Sequence, residues 1–64
     1  MKVYIEKQDK HITIKFRGTA KKLLKQLKIN SQQVLVSRNG ALITEDEQLK
    51  DTDSIILLSV ISGG

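Results

Sequence analysis

Sixty-four residues make one domain, residues 1–64, near the lower size limit for folding without staples, able to bury only about 60% of the unfolded surface. With no Cys and His11 as its one histidine, the chain excludes disulfides, zinc sites, a cysteine nucleophile and a histidine-based triad. No apolar run approaches the roughly 20 residues of a membrane span, and no signal-peptide core opens the sequence, so a soluble, cytoplasmic protein without catalytic machinery of its own is expected.

The formal charge of +4 is unevenly spread. Residues 1–38 set ten Lys and Arg against Glu6 and Asp9, whereas residues 39–64 set Lys50 against Glu45, Asp46, Glu47, Asp51 and Asp53. Such asymmetry suits a basic surface facing an acidic partner or nucleic acid, but the simpler reading, and the one preferred, is a solvated lysine coat.

In chain order, Lys2-Val3-Tyr4-Ile5-Glu6 alternates polar and apolar, with Val3 and Ile5 on one side. After a polar turn at Lys7-Gln8-Asp9-Lys10, the segment His11–Arg17 alternates again, placing Ile12, Ile14 and Phe16 together. Two period-2 runs around a short polar turn predict an antiparallel hairpin with one wet face, His11 lying at the edge of the turn.

Gly18-Thr19 breaks that strand, and Thr19 can cap the helix that follows. Ala20, Leu23, Leu24 and Leu27 recur at helical spacing as one apolar stripe, with Lys21, Lys22, Lys25 and Lys28 opposite. Asn30 is the expected left-handed residue at the helix end. Lys28 suits the negative end of the helix dipole, whereas Lys21 and Lys22 sit near the positive end.

Val34-Leu35-Val36-Ser37 reads as a short strand. Asn39-Gly40 between apolar runs predicts a tight hairpin turn, because both turn residues need positive φ. Leu42-Ile43 is the return strand, Thr44–Gln48 a polar loop or single helical turn, and Leu49 an isolated apolar plug. Asp51-Thr52-Asp53 turns the chain into a last strand, Ile55 to Ile61, read as buried from its length and branched residues.

That strand runs straight into Ser62-Gly63-Gly64. Glycine has no Cβ, so the last two positions let another backbone approach closely. This is the thinness a terminal carboxylate needs to thread a narrow channel and be attacked at its carbonyl carbon. If alternation holds, Ile55 and Leu57 face the helix, while Ile56, Leu58 and Val60 form an apolar stripe on the open sheet face, extended by Leu35. Such a stripe usually marks an interaction site.

The order predicts an α+β fold, a mixed sheet of four to five strands with one helix packed across it, ββαββ, as in the β-grasp (ubiquitin-like) architecture. The motifs Gly18-Thr19-Ala20-x-x-Leu23-Leu24, Val34-x-Val36-x-Arg38-Asn39-Gly40, Leu49-Lys50-Asp51-x-Asp53-x-Ile55 and Val60-Ile61-Ser62-Gly63-Gly64 span almost the whole chain. In these motifs the sequence resembles the ubiquitin-like sulfur carriers and small modifiers. That group includes the thiamine-biosynthesis carrier, the small subunit of molybdopterin synthase and the ubiquitin-related modifiers. One departure is Thr52, where the family places glycine; Asp-Thr-Asp can still form a type I turn.

The resemblance implies a definite chemistry. An ATP- and Mg-dependent adenylating enzyme, of the kind that activates ubiquitin and the thiamine carrier, would adenylate the Gly64 carboxylate. Sulfur would then displace AMP to give a C-terminal thiocarboxylate, or a lysine amine on a target protein would give an isopeptide bond. The carrier is thus the substrate of its partner, binds no cofactor itself and works as a monomer beside sulfur donor or acceptor proteins. Family precedent places Gly63, Gly64, Ser62, Ile61, Val60, Leu58 and Ile56 against the activating enzyme.

Two other readings stay open. One is a non-conjugating interaction module of the same fold, since fold alone never fixes function. The other is a small basic RNA-binding domain. Against it, Tyr4 and Phe16 are the only aromatics, too few for a base-stacking platform, so direct nucleic-acid contact is not expected.

Overall fold

In a computed structural model, which describes residues 1–60, ten short elements follow one another. Strand β1 (Lys2–Ile5) leads through a one-turn 3-10 helix (Glu6–Gln8) into β2 (Lys10–Thr13). A two-residue strand, β3 (Gly18–Thr19), precedes helix α1 (Ala20–Gln26). A second 3-10 turn (Ser31–Gln33) then enters β4 (Val34–Arg38), followed by β5 (Ala41–Ile43), β6 (Gln48–Leu49) and β7 (Ser54–Ser59).

Five strands form one mixed sheet in the order β2-β1-β7-β4-β5, and β3 pairs with β6 as a separate ribbon. The central pair β1 and β7 is parallel, with Val3 beside Ile55 and Ile5 beside Leu57; every other pairing is antiparallel. Among the described residues α1 is the only α-helix. This is the β-grasp arrangement, with more strands than the expected ββαββ order. The extra ones come from Gly18-Thr19, read from sequence as a break, and from Gln48-Leu49, whose leucine reads as an isolated plug. Two residues are too few for period-2 patterning to register.

Register explains the core. Opposed residues in neighbouring strands share a face, so Val3, Ile5, Val36, Ile55 and Leu57 line up beneath the helix. There they meet Ala20, Leu23, Leu24, Leu49 and Met1, all buried. Of the helix stripe expected from Ala20, Leu23, Leu24 and Leu27, the first three are buried as expected, while Leu27 is the helix's C-cap residue and only half-buried against the core. Leu49 is fully buried, so the plug reading holds, although it rides on a strand.

Both helix ends are closed by neighbouring backbone. At the start, the Thr19 hydroxyl accepts from the Lys22 N–H at 3.3 Å. The carbonyls of Glu47 and Glu45 accept from the N–H groups of Ala20 and Lys21 at 3.0 and 2.9 Å. At the far end, Ile29 N–H donates to the Leu24 carbonyl (2.9 Å) and Lys28 N–H to the Lys25 carbonyl (3.1 Å). These two bonds make a Schellman motif, whose left-handed position is usually glycine. Here it is Lys28, at φ 59°. The expectation of Asn30 in that role is corrected: Asn30 is extended and caps the following 3-10 turn through the Gln32 N–H at 2.9 Å.

Other sequence boundaries shift as well. The second strand ends at Thr13 rather than Arg17, although Met1 and Ile14 continue its pairing by exchanging backbone bonds of 2.8 and 2.9 Å. Asp51 then draws the edge toward β7, its Oδ1 accepting from the Met1 amine at 3.2 Å and the Phe16 N–H at 3.1 Å. Gly18 lies at φ 151°, and a Cβ there would approach Phe16 Cζ to 3.2 Å, so the position suits glycine alone. The last strand stops at Ser59; Val60 lies beyond it, and Ile61 lies outside the described residues.

Candidate functional site

With α1 covering one face of the sheet, the other face is open. Alternation within each strand sends the residues between the core positions outward. Register then assembles them into rows: Tyr4 stands between His11 and Ile56, Ser37 between Ile56 and Leu42, and Leu35 opposite Leu58. An apolar band therefore crosses the three strands β7, β4 and β5.

The expected stripe of Ile56, Leu58 and Val60 is found in modified form. Ile56 and Leu58 are half-buried, because β7 is central and its neighbours flank both sides. The most open apolar side chains are Leu42 (63%), Leu35 (46%) and Val60 (43%). Leu35 extends the band as expected. Leu42 is an addition to it, yet its signal is local: it precedes the inward-packed Ile43, so alternation sends it out.

Tyr4 and His11 are the other additions. Their ring centroids are 4.4 Å apart and tilted by 34°, and they border the band on its β1–β2 side. The Tyr4 hydroxyl donates to Asp9 Oδ1 at 2.8 Å. That bond, made to a carboxylate, holds the phenol pKa above its ordinary value. His11, expected at the edge of a turn, is instead a strand residue in β2 that packs on an aromatic ring. Only pairing places these two together; Tyr4 and His11 are too far apart in sequence for a local pattern to join them.

The turn between β6 and β7 aims the end of the chain. Asp53 N–H donates to the Lys50 carbonyl at 3.0 Å, and Asp53 Oδ2 accepts from the Lys50 N–H at 2.8 Å. Neither Asp51 nor Thr52 takes positive φ, so threonine fits the turn without strain. Both carboxyls are held below the ordinary carboxylate value. For Asp51 the chief cause is the Phe16 N–H, with the Met1 amine second; for Asp53 it is the Lys50 N–H, with the Asn39 amide assisting. Both act as structural staples of this turn. Past β7, the Val60 N–H donates to the Gln33 carbonyl at 3.1 Å, which sets the chain's exit beside the apolar band. Ser62, Gly63 and Gly64, expected to meet the activating enzyme, lie outside the described residues together with Ile61.

Among the described residues no group of three His, Asp or Glu side chains could hold a metal ion. Nor is any helix among them long and apolar enough to cross a membrane.

A five-stranded mixed sheet gripping one helix, with an apolar open face beside the exit of the last strand, defines a ubiquitin-like β-grasp protein. Residues 3–64 match the model of the ThiS family, and the chain belongs to that family. It is similar to the sulfur carrier protein TtuB of Thermus thermophilus, with 29% identity over 57 residues covering 89% of this chain and 88% of that protein. The likeness to ubiquitin-like sulfur carriers read from the motifs is thereby borne out, and so is the fold class.

Proposed function

We propose that the protein is a cytoplasmic sulfur carrier activated at Gly64. The observation that carries this reading is the family match, which runs from residue 3 through Gly63-Gly64, next to an apolar face on the strand leading into that tail. In the first step a carboxylate oxygen of Gly64 attacks the α-phosphorus of ATP and pyrophosphate departs. The adenylating partner supplies ATP, Mg and every catalytic group. A hydrosulfide ion then attacks the acyl carbon and gives up its proton. The bond from that carbon to the phosphate oxygen breaks, AMP leaves with the electron pair, and a thiocarboxylate remains.

The band of Leu35, Ile56, Leu58 and Leu42 docks the adenylating enzyme, with Val60 and Ile61 leading Ser62-Gly63-Gly64 into its channel. Burial of such apolar area on association supplies about 25 cal/mol per Å² before ordering costs. The same acyl adenylate is open to a lysine amine, which would release AMP and leave an isopeptide bond, so tail activation serves a carrier and a modifier alike.

The deciding experiment is intact mass of the protein from its native cells under non-reducing conditions, beside a Gly63-Gly64 deletion. A gain of about 16 Da, one oxygen replaced by sulfur, confined to the full tail is the expected result. Larger adducts that digest to a branched Gly-Gly on lysine would identify a modifier. An unchanged mass in both samples would overturn the activation reading in favour of a non-conjugating interaction module.

A further inference from the structure

The face of α1 turned away from the sheet carries charge of one sign. At 100° per residue, Lys21, Lys22 and Lys25 fall within an arc of about 100° opposite Leu23 and Leu24, and all three are exposed. The helix contains no acidic residue. Lys28 follows in its left-handed position, also exposed, and lines a hollow of about 290 Å³ shared with Lys7, Asn30 and Gln33. The acidic segment Glu45–Glu47 sits at the other end, where its carbonyls close the helix start beside Lys21. A cationic track therefore runs from Lys22 through Lys25 to Lys28 and Lys7. Among the described residues the one ion pair joins Met1 and Asp51, so no carboxylate of the described chain pairs with these lysines.

We propose that this track binds the phosphate backbone of a nucleic-acid duplex without reading its sequence. The choice between polyanions follows from what the face lacks. Protein interfaces are depleted in lysine and depend on buried aromatic, arginine or apolar anchors. Around Lys28 and Lys7 the exposed neighbours are the amides Gln8, Asn30 and Gln33. The apolar lining of the hollow, Ile5, Ile29, Val34 and Leu57, is buried or half-buried, and the exposed apolar groups Leu35, Leu42 and Val60 lie outside it. Backbone binding requires only cations at matched spacing. From Lys22 to Lys25 is about 4.5 Å along the axis at 1.5 Å per residue, between one and two steps of a nucleic-acid strand, and Lys28 continues the track past the helix end. The missing stacking platform, which counted against an RNA-binding domain, is a requirement for unpaired bases and not for a duplex. Apolar docking and cation docking thus occupy opposite sides of the domain, and both surfaces can be engaged together.

The test is fluorescence anisotropy with a labelled RNA duplex of about 20 base pairs, run against a polyglutamate peptide of equal charge, from about 50 to 300 mM salt. Binding of the duplex in the micromolar range at the low-salt end is expected. Its log–log slope against salt should be about −3.6, four phosphates at about 0.9 each for a duplex. The double substitution Lys22→Glu and Lys25→Glu should weaken binding at least tenfold, and Lys22→Gln with Lys25→Gln by less, both with unchanged urea midpoints. Three results would each overturn the proposal: no duplex binding at about 50 mM salt, polyglutamate bound as tightly as the duplex, or affinity indifferent to charge reversal. None of these touches the tail chemistry, so the two readings stand or fall separately.

Discussion

Asn39 and Ser54 hold each other from both ends of a doubled bond. The Asn39 N–H donates to the Ser54 carbonyl at 2.8 Å, and the Ser54 N–H donates to Asn39 Oδ1 at 2.9 Å. The spare amide hydrogen of Asn39 reaches Asp53 Oδ1 at 3.2 Å. One residue thus serves two duties: at φ 50°, ahead of Gly40 at φ 88°, it forms the β4–β5 hairpin turn, and it ties that turn to the first residue of β7.

Substituting Asn39→Ala removes both side-chain bonds and places a residue that disfavours the left-handed region at the same point. A loss of about 1–3 kcal/mol in urea unfolding is expected. Asn39→Gly should recover part of it by relieving the backbone alone. Equal losses for the two variants would show that the side-chain bonds, and not the turn conformation, carry the effect.

Asp51 and Asp53 make stability depend on pH. Both are more acidic in the folded chain than the ordinary carboxylate value near 4. Folding therefore favours their ionised forms, and the stability they contribute is fully present above about pH 4–5. It is lost as the pH falls through their folded values. Urea midpoints measured from pH 7 down to pH 2 should fall along this limb, and Asp51→Asn should flatten it while lowering the neutral-pH midpoint. An unchanged limb in that variant would remove Asp51 from the explanation.

Lys28 is a place where the chain can be improved. A lysine at φ 59° bears a left-handed penalty that glycine does not, of about 1 kcal/mol. Lys28→Gly should raise the thermal midpoint, and a lower midpoint would show that the side chain contributes packing that outweighs backbone strain.

Leu49 is fully buried on a two-residue strand. Leu49→Ala should cost about 2–5 kcal/mol, a large share of the stability open to a domain of this size, roughly 0.05–0.15 kcal/mol per residue. Urea denaturation measures it directly, and a loss below about 1 kcal/mol would mean the neighbours collapse into the space.

The open face is tested by Leu58→Lys. Placed on the outward side of β7 opposite Leu35, the substitution should leave the fold intact and weaken recognition by the adenylating partner. Pyrophosphate exchange should fall by roughly 30-fold or more if Leu58 is a central contact. Undiminished exchange would move the docking surface elsewhere.

Much of this architecture is legible in residues alone, and the reasons differ by element. The helix announces itself through Ala20, Leu23 and Leu24 at helical spacing, and the β4–β5 turn through Asn39-Gly40, because those signals are local. The inward set Ile55 and Leu57 and the outward Ile56 and Leu58 follow from alternation once β7 is granted a helix on one side. What escapes a local reading is set by partners distant in sequence. The β3–β6 ribbon joins Gly18 to Leu49 and Thr19 to Gln48, and the Tyr4–His11 contact depends on how β1 pairs with β2. The helix end departs from expectation because a lysine, not the asparagine two residues later, adopts the left-handed conformation that closes the motif.

The parallel pairing of β1 with β7 has a further consequence for how the protein comes into being. The strand at the middle of the sheet is the last of the described strands to be made, and it must find a partner synthesised about fifty residues earlier. Contacts of such long sequence separation slow folding relative to helical domains of equal length. A nascent or prematurely ended chain lacking residues 54–59 keeps the β3–β6 pairing but has no strand to join β1 to β4, and cannot close its core. Biosynthesis itself therefore delays assembly of the open apolar face until β7 is in place, and truncated copies would be left unfolded and exposed to proteolysis.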